Sequence, residues 1–273
     1  MWQGNVEKMH NKLGAPVSYT LPIGDDRVDI NPLIGKFIRI EHSGTINCIN
    51  CGAKTKKSYS QGYCYPCMKK LAACDMCIVK PETCHFDQGT CREPDWAETH
   101  CMRPHYAYLS NSSGVKVGIT RETQIPTRWI DQGAIQALAI ARAQTRFQVG
   151  LLEVAIKQHL NDKTDWRKML RNQVESIDLT KIRDDIFVKC QADFDGLNKR
   201  FGQGAIELLP AEKQVEIAFP VDVYPEKVKS FNLDKNPIAE GMLQGIKGQY
   251  LIMDTGVINI RKYTGYDLKL SAE

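Results

Sequence analysis

The sequence predicts an α+β chain in which a cysteine-rich, metal-binding segment leads into a small α/β sandwich, with β-rich parts at both ends. Three observations carry this. Nine of the ten cysteines fall between Cys48 and Cys101. From Tyr106 to Leu160 the apolar residues follow a strand, turn, strand, helix, strand, helix order. Stretches before residue 48 and after residue 205 alternate apolar and polar positions, as half-buried strands do. The 273 residues divide accordingly into 1–47, 48–105, 106–175, a long helix at 176–204, and 205–273.

At the start, Val17–Leu21 alternates like a strand, Gly24-Asp25-Asp26 is a turn, and Val28–Ile30 continues the pattern. Ile34–Ile40 and Thr45–Asn47 predict a hairpin closed by Ser43-Gly44. Met1–Gly14 has Lys8 and Lys12 but no apolar stretch of the kind a secretory leader needs. No segment approaches the ~20 apolar residues of a membrane span. A cytoplasmic location with no membrane partner is therefore expected. In that reducing compartment clustered cysteines point to metal, not disulfides.

Cys48-Ile-Asn-Cys51 and Cys64-Tyr-Pro-Cys67 are paired knuckles, each presenting two thiolates from a tight turn. Together they close a tetrahedral four-thiolate site with no open position, which makes the ion structural, and zinc is the expected metal. Between the knuckles Lys54, Lys56 and Lys57 are interleaved with Tyr59 and Tyr63. That mixture suits either contact with a nucleic-acid backbone and its bases or a merely solvated loop. A second cluster holds Cys74, Cys77, Cys84, Cys91 and Cys101, with His85, His100 and His105 nearby. Eight donors compete for four places. The expected ligands are Cys74 and Cys77 with two of Cys84, Cys91 and Cys101, around a second zinc; an iron–sulfur cluster is the alternative. The segment is rich in loops, so metal binding is expected to be part of its folding energy.

Residues 106–175 are the candidate functional part. Tyr106–Leu109 and Val115–Thr120 form strands about the turn Asn111–Gly114. Pro126 opens a helix through Ile135, with Arg128 in its first turn. Ala137–Thr145 is a third strand. Phe147–Leu160 is a helix with Leu152, Ile156 and Leu160 on one face and Glu153 beside that stripe. Asp162–Thr164 breaks the pattern, and Thr164 or Asp165 caps a helix from Trp166 to Val174. Between Cys101 and Arg171 eleven Lys/Arg face five Asp/Glu, a local +6 in a chain of net +4. The positive charge, including Arg121, Arg142 and Arg146, is gathered where a phosphate-binding surface would need it.

These residues resemble the GIY-YIG nuclease superfamily. Tyr106-Ala107-Tyr108 stands at the first tripeptide, Lys116-Val117-Gly118 at the second, Arg128 at the helix arginine and Glu153 at the metal-binding glutamate. The resemblance implies a GIY-YIG-like α/β sandwich over roughly 106–160. It also implies a catalytic set of Tyr108, Lys116, Arg128 and Glu153, with Tyr108 accepting a proton from water and Glu153 holding Mg²⁺ or Mn²⁺. Lys116 replaces a tyrosine, and Gln132 stands where a tyrosine or histidine is common. Over nearly its whole length the chain also resembles a prokaryotic family described only as a domain of unknown function. Gly62-Tyr-Cys-Tyr-Pro-Cys67, Gly89-Thr-Cys-Arg-Glu-Pro94, Lys116-Val-Gly-Ile-Thr-Arg121 and Gly245-Ile-Lys-Gly-Gln-Tyr-Leu251 are among the residues that carry this.

Beyond, Ile182, Ile186, Cys190, Phe194 and Leu197 define one long amphipathic helix at 176–202, with Cys190 as a core residue. Strands are predicted at Val215–Phe219, Val221–Tyr224, Gln249–Asp254, Val257–Ile260 and Tyr266–Leu270. Gly248–Asn259 echoes Gly35–Asn47, so the ends are either β-units that pair into one sheet or barrel, or two ordinary hairpins. Lys247, Arg261 and Lys262 are expected to extend the basic surface. Three functions follow: a divalent-metal-dependent endonuclease, a zinc-scaffolded DNA- or RNA-binding module without turnover, or a metal or redox sensor using the second cysteine cluster.

Overall fold

The computed structural model describes residues 1–160 and 165–273. The N-terminal part carries β1 (Trp2–Asn5), β2 (His10–Lys12), β3 (Ser18–Ile23), β4 (Asp26–Asp29) and β5 (Phe37–Ile46). The cysteine-rich stretch carries α1 (Tyr65–Lys70) and α2 (Pro94–His100), joined by 3-10 turns. Next come β6 (His105–Asn111), β7 (Val115–Arg121), α3 (Thr127–Asp131), β8 (Gln136–Ala143) and α4 (Arg146–Lys157). They are followed by α5 (Trp166–Leu170), α6 (Leu179–Lys189), α7 (Gln191–Phe201), β9 (Ile206–Leu208) and β10 (Val215–Glu216). The chain ends with β11 (Ile238–Lys247), β12 (Tyr250–Met253), β13 (Gly256–Asn259) and β14 (Tyr266–Ala272). The fold is α+β, as the sequence predicts.

The two ends pair. One antiparallel sheet has the order β1-β14-β5-β11-β12-β13, so strands from both termini share it and it is not a closed barrel. The expected hairpin at 34–47 does not form. β5 runs through it, with a bulge where Ile46 and His42 face Tyr266 and Leu268. Pairing on both edges buries Ile38 and Ile40, which a hairpin would leave with one partner strand, and Ile46 is buried against Tyr266 of β14. β11 escapes the sequence reading for a physical reason. Its buried positions alternate properly, but they include Ala239, Gly241 and Gly245, which carry little hydrophobic signal. Conversely, the predicted strand at Val221–Tyr224 is irregular chain with a single bridge, Val221 to Gly245, and the one at 215–219 is cut to β10.

A second sheet has the order β10-β8-β6-β7, with β9 also on β8. Along β6 the side chains alternate. Ala107 and Leu109 join Val117, Leu138, Ile140, Leu152 and Ile156 in a core covered by α4, α6 and α7. Tyr108 points the other way, into the core of the end sheets beside Trp129 and Ile130. α3 is shorter than expected and stops at Asp131. That carboxylate accepts hydrogen bonds from Lys8 Nζ (2.8 Å), Asn11 Nδ2 (2.7 Å) and Gln249 Nε2 (2.8 Å), pinning the helix to both ends of the chain.

α4 begins with a capping box. The Gln148 N–H donates to Thr145 Oγ1 (3.3 Å), and the Thr145 N–H donates to Gln148 Oε1 (3.0 Å). Asp165 caps α5 through the amides of Arg167 and Lys168; Asp162–Thr164 lie outside the described residues. The long helix at 176–202 is two helices broken at Cys190, because α6 lies on β8 while α7 lies on α4 and β9. The apolar stripe survives the break, and Cys190 is fully buried as expected. Among the described residues no helix is long and apolar enough to cross a membrane.

Candidate phosphate cleft and metal centre

The first knuckle is a backbone turn in which the Gly52 N–H donates to the Cys48 carbonyl (2.8 Å). The second opens α1, with Cys64 as its N-terminal flank and Pro66 in the first turn. The Ile49 N–H donates to the Gly62 carbonyl (2.9 Å) and ties the two knuckles together. The four sulphurs of Cys48, Cys51, Cys64 and Cys67 consequently lie within 4.8 Å of one another. Thiolates about 2.3 Å from a tetrahedral zinc stand roughly 3.8 Å apart, and Cys51 Sγ is 3.8 Å from Cys64 Sγ. Asn50 Nδ2 donates to Cys67 Sγ (3.4 Å), a supporting contact the sequence did not reveal. Burial opposes ionisation of Cys48, but amides of Cys64, Cys51 and Asn50 outweigh it and bring that thiol down to about 6. This cluster can hold a metal ion such as zinc.

The second cluster is arranged differently. Cys77, Cys84, Cys91 and Cys101 line a cavity of about 20 Å³, with Asp75 and His85 at its wall. Cys74 leaves this group and turns toward Ser60 and the neighbouring cleft. His100 stacks on Trp96 instead (centroids 4.0 Å apart). His105 is buried in β6, where its Nδ1 contacts the Arg103 carbonyl (2.7 Å) and burial lowers it to about 4.

That cleft, of about 690 Å³, brings Tyr108, Lys116, Arg128 and Glu153 together with Arg121, Arg146, Lys157 and Arg261. Each arrives from a different element. Tyr108 on β6 faces Gly118 on β7 directly across the ladder. A Cβ on Gly118 would stand 2.6 Å from the Tyr108 hydroxyl, so glycine makes room for the phenol. Tyr108 Oη donates to Gln132 Oε1 (3.0 Å), and burial raises the phenol's pKa against the nearby Arg128 charge. Arg128 lies on α3. Along α4, Arg146, Gly150, Glu153 and Lys157 form one stripe at i, i+4, i+7 and i+11, opposite the apolar stripe that enters the core.

Glu153 is 9% exposed and contacts Lys157 Nζ at 3.4 Å. Burial raises its pKa, against the Lys157 and Arg146 charges. Burial lowers Arg121 and Arg146, against the opposing influence of the nearby Cys101 sulphur. Among the described residues, six cationic side chains line the cleft with the two carboxylates of Asp75 and Glu153, and Asp75 is held by Arg92 Nε at 2.6 Å. This surplus of positive charge is suited to a bound anion.

Arg261 and Gln61 line this cleft and also the adjacent groove of about 540 Å³ that Lys56, Lys57 and Lys262 line. Arg261 Nε donates to Gln61 Oε1 (2.7 Å) at the junction. Of the basic residues singled out in the sequence, Arg121 and Arg146 lie in the cleft and Lys56 and Lys57 in the groove. Lys54 lies outside both, and Arg142 pairs with Glu207 (3.4 Å) elsewhere. Arg261 and Lys262 do extend the basic surface. Lys247 does not: it is fully buried, donates to Asn172 Oδ1 (2.7 Å), lies over Phe219 and Tyr224, and is lowered to about 8 by desolvation. Lys157 was legible as a charge four residues from Glu153, whereas Gln61 gave no local signal.

A family model described as "Protein of unknown function (DUF2797)" matches residues 35–268. No curated protein and no solved structure matches the chain.

Proposed function

We propose that this chain, which belongs to the DUF2797 family, binds nucleic acid by holding its phosphodiester backbone in the cleft. The observation that carries this is the convergence of Lys116, Arg121, Arg128, Arg146, Lys157 and Arg261 around one buried carboxylate. Planar guanidinium groups grip phosphate oxygens in pairs. The groove beyond Arg261 offers a path along which the backbone continues past Lys56 and Lys57. No groove-reading helix contributes, so the recognition is of backbone and shape, in DNA or RNA.

β6, α3 and α4 bring Tyr108, Arg128 and Glu153 to one cleft, in the order along the chain that the GIY-YIG resemblance implies, which supports the reading. Glu153 is the position for Mg²⁺ or Mn²⁺, and such an ion would stabilise charge on a phosphate oxygen. Tyr108 favours binding over hydrolysis: a buried phenol with raised pKa, engaged with Gln132, is a weak base for water. Zinc at Cys48, Cys51, Cys64 and Cys67 would serve as scaffold.

The test is fluorescence anisotropy with single-stranded DNA, branched DNA and structured RNA across a salt series. Binding should weaken steeply with salt. Arg128→Ala should lose about tenfold in affinity and flatten the slope by about one. Absence of salt-sensitive binding to all three would sink the proposal. Cleavage in Mn²⁺ that disappears in Glu153→Ala would make the protein an endonuclease rather than a binder.

A further inference from the structure

The cavity bounded by Cys77, Cys84, Cys91 and Cys101 is too small for an organic ligand and large enough for one ion. Four thiols surround it. Asp75 and His85 also stand within 4.8 Å of Cys77, and they face each other, His85 Nε2 lying 3.6 Å from Asp75 Oδ2. Asp75 Oδ2 accepts from Arg92 Nε at 2.6 Å, and His85 Nδ1 contacts Thr90 Oγ1 at 2.8 Å. Cys74, the expected first ligand, lines the cleft instead. The surrounding chain is a run of 3-10 turns at 76–78, 81–83 and 86–88 leading to α2. None of its side chains enters the three hydrophobic cores. A segment without core packing needs a cross-link to hold one conformation.

We propose that Cys77, Cys84, Cys91 and Cys101 bind a second thiophilic divalent cation here, and that this ion props the helix lining the cleft. The contacts that transmit the support are direct. The Arg146 N–H donates to the Cys101 carbonyl (2.8 Å), and Arg146 Nη2 donates to the Ile78 carbonyl (2.6 Å). Gly150 packs so closely on Pro81 that a Cβ would collide with it. The ion closes the turns around Cys77 and Cys84, those turns hold the first two turns of α4, and α4 presents Arg146 and Glu153. Asp75 and His85 act from outside the ligand set.

The experiment is elemental analysis combined with zinc-edge X-ray absorption on the full chain, independent of any nucleic acid. The wild type should carry about two zinc ions per chain, with a first shell of sulphur alone at about 2.3 Å. Cys84→Ser and Cys91→Ser should each drop the content to about one, and Cys74→Ser should leave it at two. Hydrogen exchange at the N-terminal amides of α4 should rise on loss of this ion. One zinc in the wild type would overturn the site. A nitrogen or oxygen shell at about 2.0 Å would move the ligands to Asp75 and His85 and overturn the set, as would loss of metal in Cys74→Ser. Unchanged exchange in α4 would overturn the support role.

Discussion

The two cysteine clusters sit in one segment, 48–105, and no side chain of that segment enters any of the three cores. They solve the same problem differently. In the first, two CxxC turns fix thiol pairs by local backbone geometry, and amides anchor the unit to the end sheet: Asn47 N–H to Gly265 O (2.8 Å) and Thr55 N–H to Ile46 O (2.9 Å). Its sulphurs are gathered within 4.8 Å of one another. In the second, the thiols stand seven, seven and ten residues apart, so only tertiary packing brings them to one cavity. Among the described residues, the donors of that cluster within the same spacing are Asp75, Cys77 and His85. The first cluster is therefore preorganised and anchors the scaffold. The second depends on tertiary packing and leans on α4.

The largest expected effect separates the two by stability. Cys64→Ser should remove one metal and cost about 4 kcal/mol or more, a fall in Tm on the order of 10 °C. Cys91→Ser should cost about half as much, because its turns remain docked on α4. Thermal denaturation of both, with metal content measured in parallel, checks this; equal losses would erase the distinction. Competition with a chromophoric chelator comes next. Preorganised ligands hold an ion more tightly because less ordering accompanies binding. Release should be biphasic, with the ion of the second cluster leaving roughly tenfold faster. A single phase would break the comparison.

The same contrast explains what was legible. Paired CxxC turns are short-range objects, so Cys48, Cys51, Cys64 and Cys67 could be assigned from spacing. In the second set the CxxC pattern suggested that Cys74 and Cys77 act together. In the structure Asp75 begins a new turn, and Cys74 is carried toward the cleft. Strands with strong apolar alternation, such as β6 and β7, were readable. β11 was not, since alanine and glycines fill buried positions. The cleft's Tyr108, Arg128 and Glu153 could be read from order along the chain. Arg261 and Gln61 come from remote segments, brought together where the first cysteine cluster docks on the end sheet.

A smaller effect probes the joint between cluster and helix. Gly150→Ala places a methyl against Pro81, and overpacking should cost about 1–3 kcal/mol. Gly196→Ala in α7 meets nothing within 4 Å, and should stabilise by roughly 1 kcal/mol through helix propensity. If both variants shift Tm equally, the segment does not bear on α4. If Gly150→Ala also weakens salt-sensitive binding while Gly196→Ala does not, the second cluster supports the cleft.

The smallest effect lies on the outer face of that same helix. Glu153 is buried, and desolvation raises its folded pKa despite Lys157 and Arg146. A carboxyl with a raised folded pKa binds more protons folded than unfolded. Its contribution therefore favours folding below the unfolded pKa and is lost as pH rises through the folded value. At neutral pH the ion-free protein carries that cost in full. Glu153→Gln should thus raise Tm slightly at pH 7, with the gain shrinking toward pH 4, while zinc content stays unchanged. In the wild type Mn²⁺ should narrow the gap by stabilising the carboxylate, and that shift should vanish in Glu153→Gln. A wild type whose Tm ignores Mn²⁺ would leave Glu153 as a charge partner of Lys157 alone. The cleft would then hold phosphate through its cations, and the metal chemistry of this chain would belong wholly to the two cysteine clusters.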